Sequence, residues 1–482
     1  MTPQQIRLLE SLSPVLPARA VVTDPAMIAP WEIDWRKRWQ GHAPILLQPG
    51  SVTEVQTIVA AANRERVPLV PQGGNTSMVG GATPLPDGSA VILSLRRLNQ
   101  VRSLDAEAGL AIAEAGVILA DFHAAAAKAE RRFPLTLGAR GSATIGGLVS
   151  TNAGGTQVLR WGTMRGLVAG VEAVLADGSL FEGLSALKKD NRGYDINQLL
   201  VGAEGTLGIV TAATLRLAPA IAARAVAWVG VETPDAALRL LRRFEAAGDA
   251  VESFELLPAE SLAAVLTHVS GTRAPLPSGH PWHVLVEAVT SDPDASNPTA
   301  FVERVLAAAL SDGIATDATI AASEAQAEAF WRIRDSISDA ERATGPAAQH
   351  DISVPIEAMP RFLIDAAKAC DARFPGTRAS GFGHLGDGNV HFHVRAPAGA
   401  NRVTWLAEEA PSVTRFVDDL VVAAGGSISA EHGIGQMKLA ELERLSSPSR
   451  MATLRAIKQA MDPEGILNPG KLLALAPQAM GE

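Results

Sequence analysis

The sequence predicts an α+β protein with more than one domain. The first 219 residues are punctuated by glycine and contain short β-like runs, residues from Ala220 onward alternate between apolar strands and helices, and the last 60 residues are again helical. A chain of 482 residues exceeds one ordinary core, so two or three domains are expected. We therefore divide the chain into 1–219 (core about 38–219), 220–420 and 421–482.

Local signals place the elements of the first part. Ser51 and Glu54 form the pattern of a capping box, and an apolar face follows, which predicts a helix over 51–65. Asp177 and Gly178 stand between two β-like runs and predict a hairpin turn. Strands are expected at 67–71, at 90–95 and in two runs near 101–116.

The middle part has a different order of predicted elements. The runs AVAWVGVE, VESFELL and WHVLVEAV alternate with helical segments, the first of them near 235–247. This alternation favours an antiparallel sheet with helices covering one of its faces.

Composition excludes several classes of protein. Hydrophobic residues make up 47% and charged residues 19%, as in a globular protein, and the net charge of −9 disfavours nucleic acid as a partner. The single cysteine, Cys370, excludes disulfide frameworks and thiolate metal clusters. The start of the chain lacks the features of a signal peptide, and no apolar run predicts a transmembrane segment. A soluble, cytoplasmic enzyme is expected.

Three segments of the first part are unusually rich in glycine: 73–81, 138–155 and 202–208. Glycines let backbone amides turn outward, so together such loops can bind a diphosphate; tight turns between strands are the alternative explanation of each loop taken alone. Neither the G-x-G-x-x-G fingerprint nor a P-loop occurs in them, which disfavours a Rossmann NAD site.

Six motifs, in chain order, extend this reading: PQGGNTSMVGG, GARGSATIGGLVSTNAGGTQVLRWGTMRG, KKDNRGYDINQLLVGAEGTLGIVT, GHLGDGNVHFH, SAEHGIG and NPGKLL. With them the chain resembles the FAD-linked D-2-hydroxy-acid dehydrogenases, flavoproteins of the vanillyl-alcohol-oxidase type, from about Ile33 to Leu473. The resemblance implies a two-subdomain FAD-binding domain of this (PCMH) type, an α+β substrate or cap domain with an antiparallel sheet, and a helical C-terminal segment that returns to the flavin.

The resemblance also implies which residues bind the cofactor. Covalent relatives often have a histidine in the first glycine loop, where this chain has Asn75, so non-covalent FAD is expected. The implied FAD-binding residues are Pro71, Gly73, Gly74, Asn75, Thr76, Ser77, Pro134, Leu137, Gly138, Ser142, Thr144, Ile145, Gly147, Asn152, Gly154, Gly155, Trp161, Glu204, Gly205, Ile209 and Asn468.

Histidines lie on both sides of a glycine turn in the middle part. His384 precedes the turn, and His391 and His393 lie on the predicted strand after it, so both point to one face while Phe392 points to the other.

Far downstream, Glu431 and His432 lie in the small-residue segment SAEHGIG. Two histidines and one carboxylate suit a metal site with open positions, although separate polar residues on loops would give the same pattern. The resemblance implies that His384, His391 and Glu431 bind a divalent ion, with Zn²⁺ expected and Mn²⁺, Fe²⁺ or Co²⁺ also compatible. It further implies that His432 is the catalytic base, which takes the proton of the substrate's 2-hydroxyl while hydride passes to N5 of the flavin.

The substrate is less clearly indicated. Arg334 and Ser338 lie four apart on a predicted helix, and the resemblance implies that they bind the distal carboxylate of D-2-hydroxyglutarate, which would be oxidised to 2-oxoglutarate; a solvated helix face is the alternative. Gln349 stands where the family has lysine, and His393 stands where it has asparagine. D-2-hydroxyglutarate is therefore the first expected substrate, and D-lactate or another short D-2-hydroxy acid the second.

Several alternatives stay open at this point. A metal-dependent hydrolase could use the same histidines and glutamate, and an inactive flavin-binding subunit could retain the fold. Electron-transfer flavoprotein or a quinone are the expected electron acceptors. The sequence leaves the oligomeric state open, with a homodimer among the options.

Overall fold

The computed structural model describes residues 1–294 and 297–474, and the chain forms two compact units. The first unit contains residues 1–154, 162–219 and 431–474. The second contains residues 155–161, 220–294 and 297–430. Residues 295–296 and 475–482, which belong to the predicted domains 220–420 and 421–482, lie outside the described residues.

The elements are numbered in chain order. The strands are β1 Val21–Val22, β2 Leu46–Leu47, β3 Leu69–Gln72, β4 Val91–Ser94, β5 Val101–Asp105, β6 Leu110–Glu114, β7 Arg131–Arg132, β8 Val168–Val174, β9 Leu180–Glu182, β10 Ile209–Arg216, β11 Ala218–Pro219, β12 Ala223–Val231, β13 Val251–Pro258, β14 Trp282–Thr290, β15 Asp317–Ile320, β16 Ala347–Ser353, β17 Arg378–His384 and β18 Asn389–Arg395. The α-helices are α1 Pro3–Leu12, α2 Pro25–Ile28, α3 Val52–Glu65, α4 Leu119–Lys128, α5 Ile145–Thr151, α6 Val158–Trp161, α7 Met164–Leu167, α8 Ile196–Leu200, α9 Pro234–Ala247, α10 Ala259–His268, α11 Pro298–Ser311, α12 Glu324–Asp335, α13 Ile337–Thr344, α14 Met359–Arg373, α15 Arg402–Glu408, α16 Ala410–Ala423, α17 Leu439–Leu445 and α18 Pro448–Met461.

Two larger sheets organise the first unit. One has four strands in the order β1-β2-β4-β3, in which β4 runs parallel to both β2 and β3. The other has five strands in the order β5-β6-β10-β8-β9, all antiparallel, and β7 and β11 form a separate pair. The strands expected at 67–71, 90–95 and 101–116 are therefore confirmed, as is the hairpin turn at Gly178, whose φ is 88°.

Helix α3 shows how local signals fix an element. Ser51 caps the helix, because its side chain accepts a hydrogen bond from the amide of Glu54 at 3.2 Å. The predicted capping box is only half formed: the Glu54 carboxylate accepts from the amide of Gly50 at 2.6 Å. The apolar face of α3, which includes Val55 and Ile58, is fully buried in the core beneath the four-stranded sheet.

The chain beyond Glu431 belongs to the first unit and extends its four-stranded sheet. Leu467 pairs with Leu69 of β3 in a parallel bridge. A buried ion pair holds this segment, because Lys458 at the end of α18 donates to Asp462 at 2.5 Å and to the carbonyl of Leu467 at 2.9 Å. The carboxylate of Asp462 also accepts from the amides of Ile466 and Leu467, so every charge in this buried pair is satisfied.

A single antiparallel sheet dominates the second unit. Its seven strands lie in the order β15-β12-β14-β13-β17-β18-β16. The expected antiparallel sheet is thereby confirmed.

Helices cover both faces of this sheet, so the expectation of one covered face is wrong. On one face, α9, α11, α14 and α16 enclose a core that includes Phe254 and Phe392. On the other, α10, α12 and α13 pack on Trp228, Leu285 and Phe382. The physical reason is that strands such as β12 carry apolar side chains on both sides. A single layer of helices would leave the apolar side chains of one face exposed to water.

The segment that contains Arg334 also differs from expectation. The predicted continuous helix is interrupted at Ser336, which ends α12 and precedes α13. Arg334 therefore lies in the last turn of one helix and the exposed Ser338 in the first turn of the next.

None of the helices in the described part of the chain has the length and apolarity that a bilayer-spanning helix needs.

Candidate active site

The first glycine loop follows β3 in the first unit. The side chain of Arg96 donates to the carbonyls of Gly73 and Gly74 at 2.9 and 3.2 Å. Because the N–H of a trans peptide points away from the preceding carbonyl, the amides of Gly74 and Asn75 point away from Arg96. Asn75 has φ of 56°, which is the left-handed region of backbone conformation. Left-handed residues are typical of loops whose amides converge on an anion.

The second glycine segment lies directly against the first. A Cβ on Gly73 would stand 2.1 Å from Oγ1 of Thr144, and one on Gly74 would stand 1.9 Å from the carbonyl oxygen of Ser142. By contrast, a Cβ on the exposed Gly138 would meet nothing within 4 Å. The two segments therefore need glycine where they touch each other and leave an open side at Gly138.

Unpaired polar atoms test whether this cradle fits a cofactor. Oδ1 of Asn75, Oγ1 of Thr144 and Oδ1 of Asn468 are buried and have no hydrogen-bond partner among the described residues. Such atoms are costly to bury unless a ligand or water satisfies them. Together with the outward-turned amides they fit the diphosphate, ribityl and flavin groups of FAD.

Residues 431–435, the part of the SAEHGIG segment that lies in the first unit, are fixed against this cradle. Both carboxylate oxygens of Glu204 accept backbone N–H groups, from Ile434 and Gly435, each at 2.7 Å. Burial raises the pKa of Glu204, and the two backbone donors partly offset that effect. A Cβ on Gly433 would stand 2.8 Å from Oε1 of Glu204, so the turn that follows His432 has room only for glycine.

Two further contacts hold the same turn. The side chain of Gln436 donates to the carbonyls of Gly80 and Thr83 at 2.9 and 2.8 Å, at the end of the first glycine loop. The side chain of Asn468 donates to the carbonyls of Gly81 and Glu204 at 3.0 and 2.7 Å. Four distant segments of sequence thus meet beside the residues implied to bind FAD.

The remaining implied cofactor residues have varied surroundings. Asn152 ends α5 with φ of 50°, and its side chain accepts from the amide of Arg165 at 2.9 Å. Ile209 begins β10 and its side chain is fully buried in the apolar core. Gly155 and Trp161 belong to the second unit, and the others belong to the first.

In the second unit, Trp161 lies against β13. Its indole Nε1 donates to the buried carboxylate of Glu252 at 3.3 Å, and the guanidinium of Arg160 lies 3.8 Å from the same carboxylate.

The predicted histidines share one face of the seven-stranded sheet, the face that also carries Phe382. Phe382 of β17 lies opposite His391 of β18 in register, and its ring is 5.1 Å from the ring of His391 and 5.4 Å from that of His393. Phe392 points into the core on the other face, as the alternation predicted. The rings of His384 and His391 are 5.7 Å apart and nearly perpendicular.

A buried carboxylate that the sequence reasoning missed lies behind His384. Glu255 of β13 pairs in register with His384, and its Oε1 is 2.5 Å from Nδ1 of that ring. Its other oxygen accepts from Nε of Arg334 at 2.9 Å. Burial alone raises the pKa of Glu255, but Arg334 and His384 outweigh it and hold the value at about 2. For His384 burial lowers the pKa, and Glu255 outweighs it and raises the value to about 9.

His391 has a different neighbour. Its Nδ1 is 3.9 Å from Oδ1 of Asp351, its register partner on β16, and burial lowers its pKa well below the ordinary value. The side chain of Asn389 donates to the same Asp351 oxygen at 2.9 Å. Two imidazoles on adjacent strands, one with a carboxylate behind it, are a donor set that fits a divalent cation such as Zn²⁺.

The two departures from the family pattern face each other. Gln349 of β16 and His393 of β18 are directly opposite in register. Nδ1 of His393 lies 3.8 Å from Glu341, a buried residue that also pairs with Arg395 and accepts from Ser261 at 3.3 Å. Burial raises the pKa of Glu341, but His393 and Arg395 outweigh it and lower the value below its ordinary range.

Comparison with known proteins identifies the family. The family model described as "FAD linked oxidases, C-terminal domain" matches residues 221–472, and the one described as "FAD binding domain" matches residues 43–183. The chain belongs to the FAD-linked oxidase family. It therefore has an FAD-binding domain, as the family resemblance implied.

Two relatives span nearly all of the chain. D-2-hydroxyglutarate dehydrogenase of Xanthomonas citri pv. viticola is 37% identical over 462 residues, which cover 96% of each chain. The mitochondrial D-2-hydroxyglutarate dehydrogenase of Bos taurus is 37% identical over 473 residues, which cover 96% of this chain and 83% of that protein. The family predicted from the six motifs is thus confirmed.

The fold has a solved counterpart. The structure of p-cresol methylhydroxylase with substrate bound has a TM-score of 0.74 to this chain at 15% identity, covering 98% of this chain and 97% of that one. The predicted fold class, an FAD-binding domain of the PCMH type with an α+β cap domain, is confirmed.

The sequence carries a local signal for two of the buried carboxylates. Glu252 and Glu255 stand in the apolar run VESFELL, and a charged residue in a strand that is buried needs a partner. That signal marks the two glutamates as candidates, but it does not say which side chains they meet. Asp351 and Glu341 carry no comparable local signal.

Proposed function

We propose that the protein oxidises a D-2-hydroxy acid to the corresponding 2-oxo acid, most specifically D-2-hydroxyglutarate to 2-oxoglutarate. The observation that carries the proposal is the 37% identity, over 96% of both chains, to a protein named D-2-hydroxyglutarate dehydrogenase. Non-covalently bound FAD, in the cradle of the first unit, supplies a hydride acceptor at its N5 atom. Asn75 in the first glycine loop supports the non-covalent mode, since it offers no imidazole for attachment.

His384, His391 and Glu431 would hold a divalent metal, with Zn²⁺ proposed first. The metal would polarise the substrate's carboxylate and 2-hydroxyl and so lower the pKa of that hydroxyl. His384 and His391 support this role because they are adjacent on one sheet face. Glu431 directly follows Ala430, the last residue of the second unit, whose amide lies 3.4 Å from the carbonyl of Asp351.

His432 is proposed as the base that removes the proton of the 2-hydroxyl. A neutral imidazole suits this task near neutral pH. Glu204 fixes the turn that follows His432, so the base would be presented from a rigid segment instead of a mobile loop.

Arg334, with Ser338, Gln349 and His393, would bind the far end of the substrate. A guanidinium can bind a second carboxylate through two parallel hydrogen bonds. However, the charge of Arg334 is already balanced by Glu255 at 2.9 Å, and Gln349 adds none. This balance favours a second candidate, D-lactate or another short D-2-hydroxy acid without a distal carboxylate. The reduced flavin would pass its electrons to a carrier such as electron-transfer flavoprotein or to a quinone.

Anaerobic mixing with a panel of hydroxy acids tests the proposal. We expect the yellow flavin to bleach with D-2-hydroxyglutarate or D-lactate, to stay oxidised with their L-enantiomers, and to stay oxidised with every acid after chelation. A colourless protein would support a metal-dependent hydrolase instead, and a yellow protein that no D-2-hydroxy acid bleaches would support an inactive flavin-binding subunit.

The role of His432 has its own test. The His432→Ala variant should keep its flavin, and the rate at which substrate reduces that flavin should fall at least about 100-fold. General base catalysis contributes about 100- to 10,000-fold to a rate. His268→Ala, which changes an exposed histidine at the end of α10, serves as the control and should reduce its flavin normally. Normal reduction by the His432 variant would remove this residue from the base role.

A further inference from the structure

One buried carboxylate contacts both a proposed metal ligand, His384, and a positively charged side chain, Arg334. Glu255 is 1% exposed, and its two oxygens are divided between Nδ1 of His384 at 2.5 Å and Nε of Arg334 at 2.9 Å. These contacts join β13, the end of β17 and the last turn of α12. His384 and Glu255 are 129 positions apart in the chain, so only the sheet register brings them together.

The same contacts create an electrostatic conflict. Nη2 of Arg334 lies 3.3 Å from Nε2 of His384, the ring nitrogen that does not face Glu255. A cation bound at that nitrogen would therefore lie near a guanidinium, and two positive charges at such a distance repel strongly inside a protein. The carboxylate of Glu255 is in direct contact with both side chains, so its negative charge can compensate the two positive charges.

We propose that Glu255 is a positioning and charge-compensating residue that allows a divalent metal to bind at His384 beside Arg334. Metal-binding histidines commonly donate their second ring N–H to a carboxylate, which fixes the ring and raises its basicity. Glu255 does this for His384, and in addition it neutralises the arginine that would otherwise oppose the metal. The proposal rests on the proposed function, because it takes His384 as a metal ligand.

Zn²⁺ binding measures this effect directly, without reference to turnover. The full-length protein is stripped of metal, dialysed against chelator-buffered Zn²⁺, and its bound zinc is determined by elemental analysis. Glu255→Gln keeps the size of the side chain and removes its charge, so we expect the Kd for Zn²⁺ to rise about 10- to 100-fold. Flavin content should stay at the wild-type level.

Arg334→Met gives the opposite prediction. This change removes the guanidinium and leaves the charge of Glu255 facing the metal site. We expect Zn²⁺ to bind at least as tightly as in the wild type, and the double variant Glu255→Gln/Arg334→Met to regain most of the affinity lost by Glu255→Gln. A merely structural role of Glu255 would not give this rescue.

Glu287→Gln is the matched control. Glu287 is a buried carboxylate of the neighbouring strand β14 that accepts from Trp331 at 2.5 Å and lies 3.4 Å from Arg224, and no histidine is among these partners. Loss of the negative charge of Glu287 should leave the Kd for Zn²⁺ unchanged.

The outcomes separate this inference from the proposed function. If the wild type binds Zn²⁺ and Glu255→Gln binds it equally well, or if Arg334→Met weakens binding, only the role of Glu255 is overturned. If the wild type binds no divalent metal, the metal-assisted mechanism fails as well. Should Glu255→Gln fail to fold, the single variant Arg334→Met still decides, since Zn²⁺ binding at least as tight as in the wild type supports the proposal and weaker binding refutes it.

Discussion

Replacing Glu204 should show how much the reaction depends on the turn after His432. In the wild type each oxygen of the Glu204 carboxylate accepts one backbone N–H at 2.7 Å, and the residue is 7% exposed. Hydrogen bonds to a charged group are worth about 1.5–3 kcal/mol each, and a buried N–H left without a partner costs about 1–3 kcal/mol. Glu204→Gln keeps one acceptor and turns an NH₂ group toward the other N–H, so we expect a loss of roughly 3–5 kcal/mol.

This loss should appear in both stability and rate. The midpoint of thermal unfolding should fall by roughly 2–4 °C per kcal/mol of lost stability, by analogy with single domains of about 150–250 residues. If the turn shifts by about 1 Å, misplacement of His432 should slow flavin reduction about 100-fold. Stopped-flow reduction under anaerobic conditions and a thermal melt followed by flavin fluorescence measure the two effects.

A buried carboxylate elsewhere in the first unit provides the control. Glu172 is 8% exposed and pairs with Arg102 at 3.0 Å and with Thr211 at 2.8 Å. Glu172→Gln should lower the melting temperature and leave the rate of flavin reduction unchanged in samples with equal flavin content. The reasoning is refuted if Glu204→Gln melts and reduces its flavin like the wild type.

Two further predictions concern other regions. Burial, assisted by His280, lowers the pKa of His283 to about 4, and in the folded protein its Nδ1 accepts from the indole of Trp228 at 3.1 Å. Between about pH 6.5 and pH 4 the unfolded chain binds a proton that the folded chain does not, so stability falls as the pH falls through that range, by about 2 kcal/mol from pH 7.5 to pH 5. Chemical denaturation of His283→Gln at both pH values should show this difference reduced, and an unchanged difference would contradict the assignment. In the cofactor cradle, a Cβ on Gly73 would stand 2.1 Å from Oγ1 of Thr144, so Gly73→Ala should lower FAD occupancy of the purified protein at least about tenfold, as measured by the ratio of flavin to protein absorbance, whereas full occupancy would show that the cradle tolerates the contact.

Local elements and the family could be predicted from the amino-acid sequence alone. Helix α3 follows from the cap at Ser51 and the spacing of its apolar residues, and the hairpin at Gly178 follows from the turn signal. The alternation of His391, Phe392 and His393 correctly placed the two histidines on one face. These features could be predicted because each depends on residues within a few positions of one another, whose period and caps are written in the sequence.

The contacts between charged residues far apart in the sequence could not be predicted and are set by the three-dimensional fold. Glu255 reaches His384 through strand register, and Glu204 reaches the turn at Gly435, 231 positions away, through the return of the chain to the first unit. The same holds for the helices on both faces of the seven-stranded sheet and for the interruption of the helix at Ser336. A glutamate in an apolar strand indicates that a buried charge needs a partner. Which residue becomes that partner depends on long-range packing, because the pairing is determined by the free energy of the whole core.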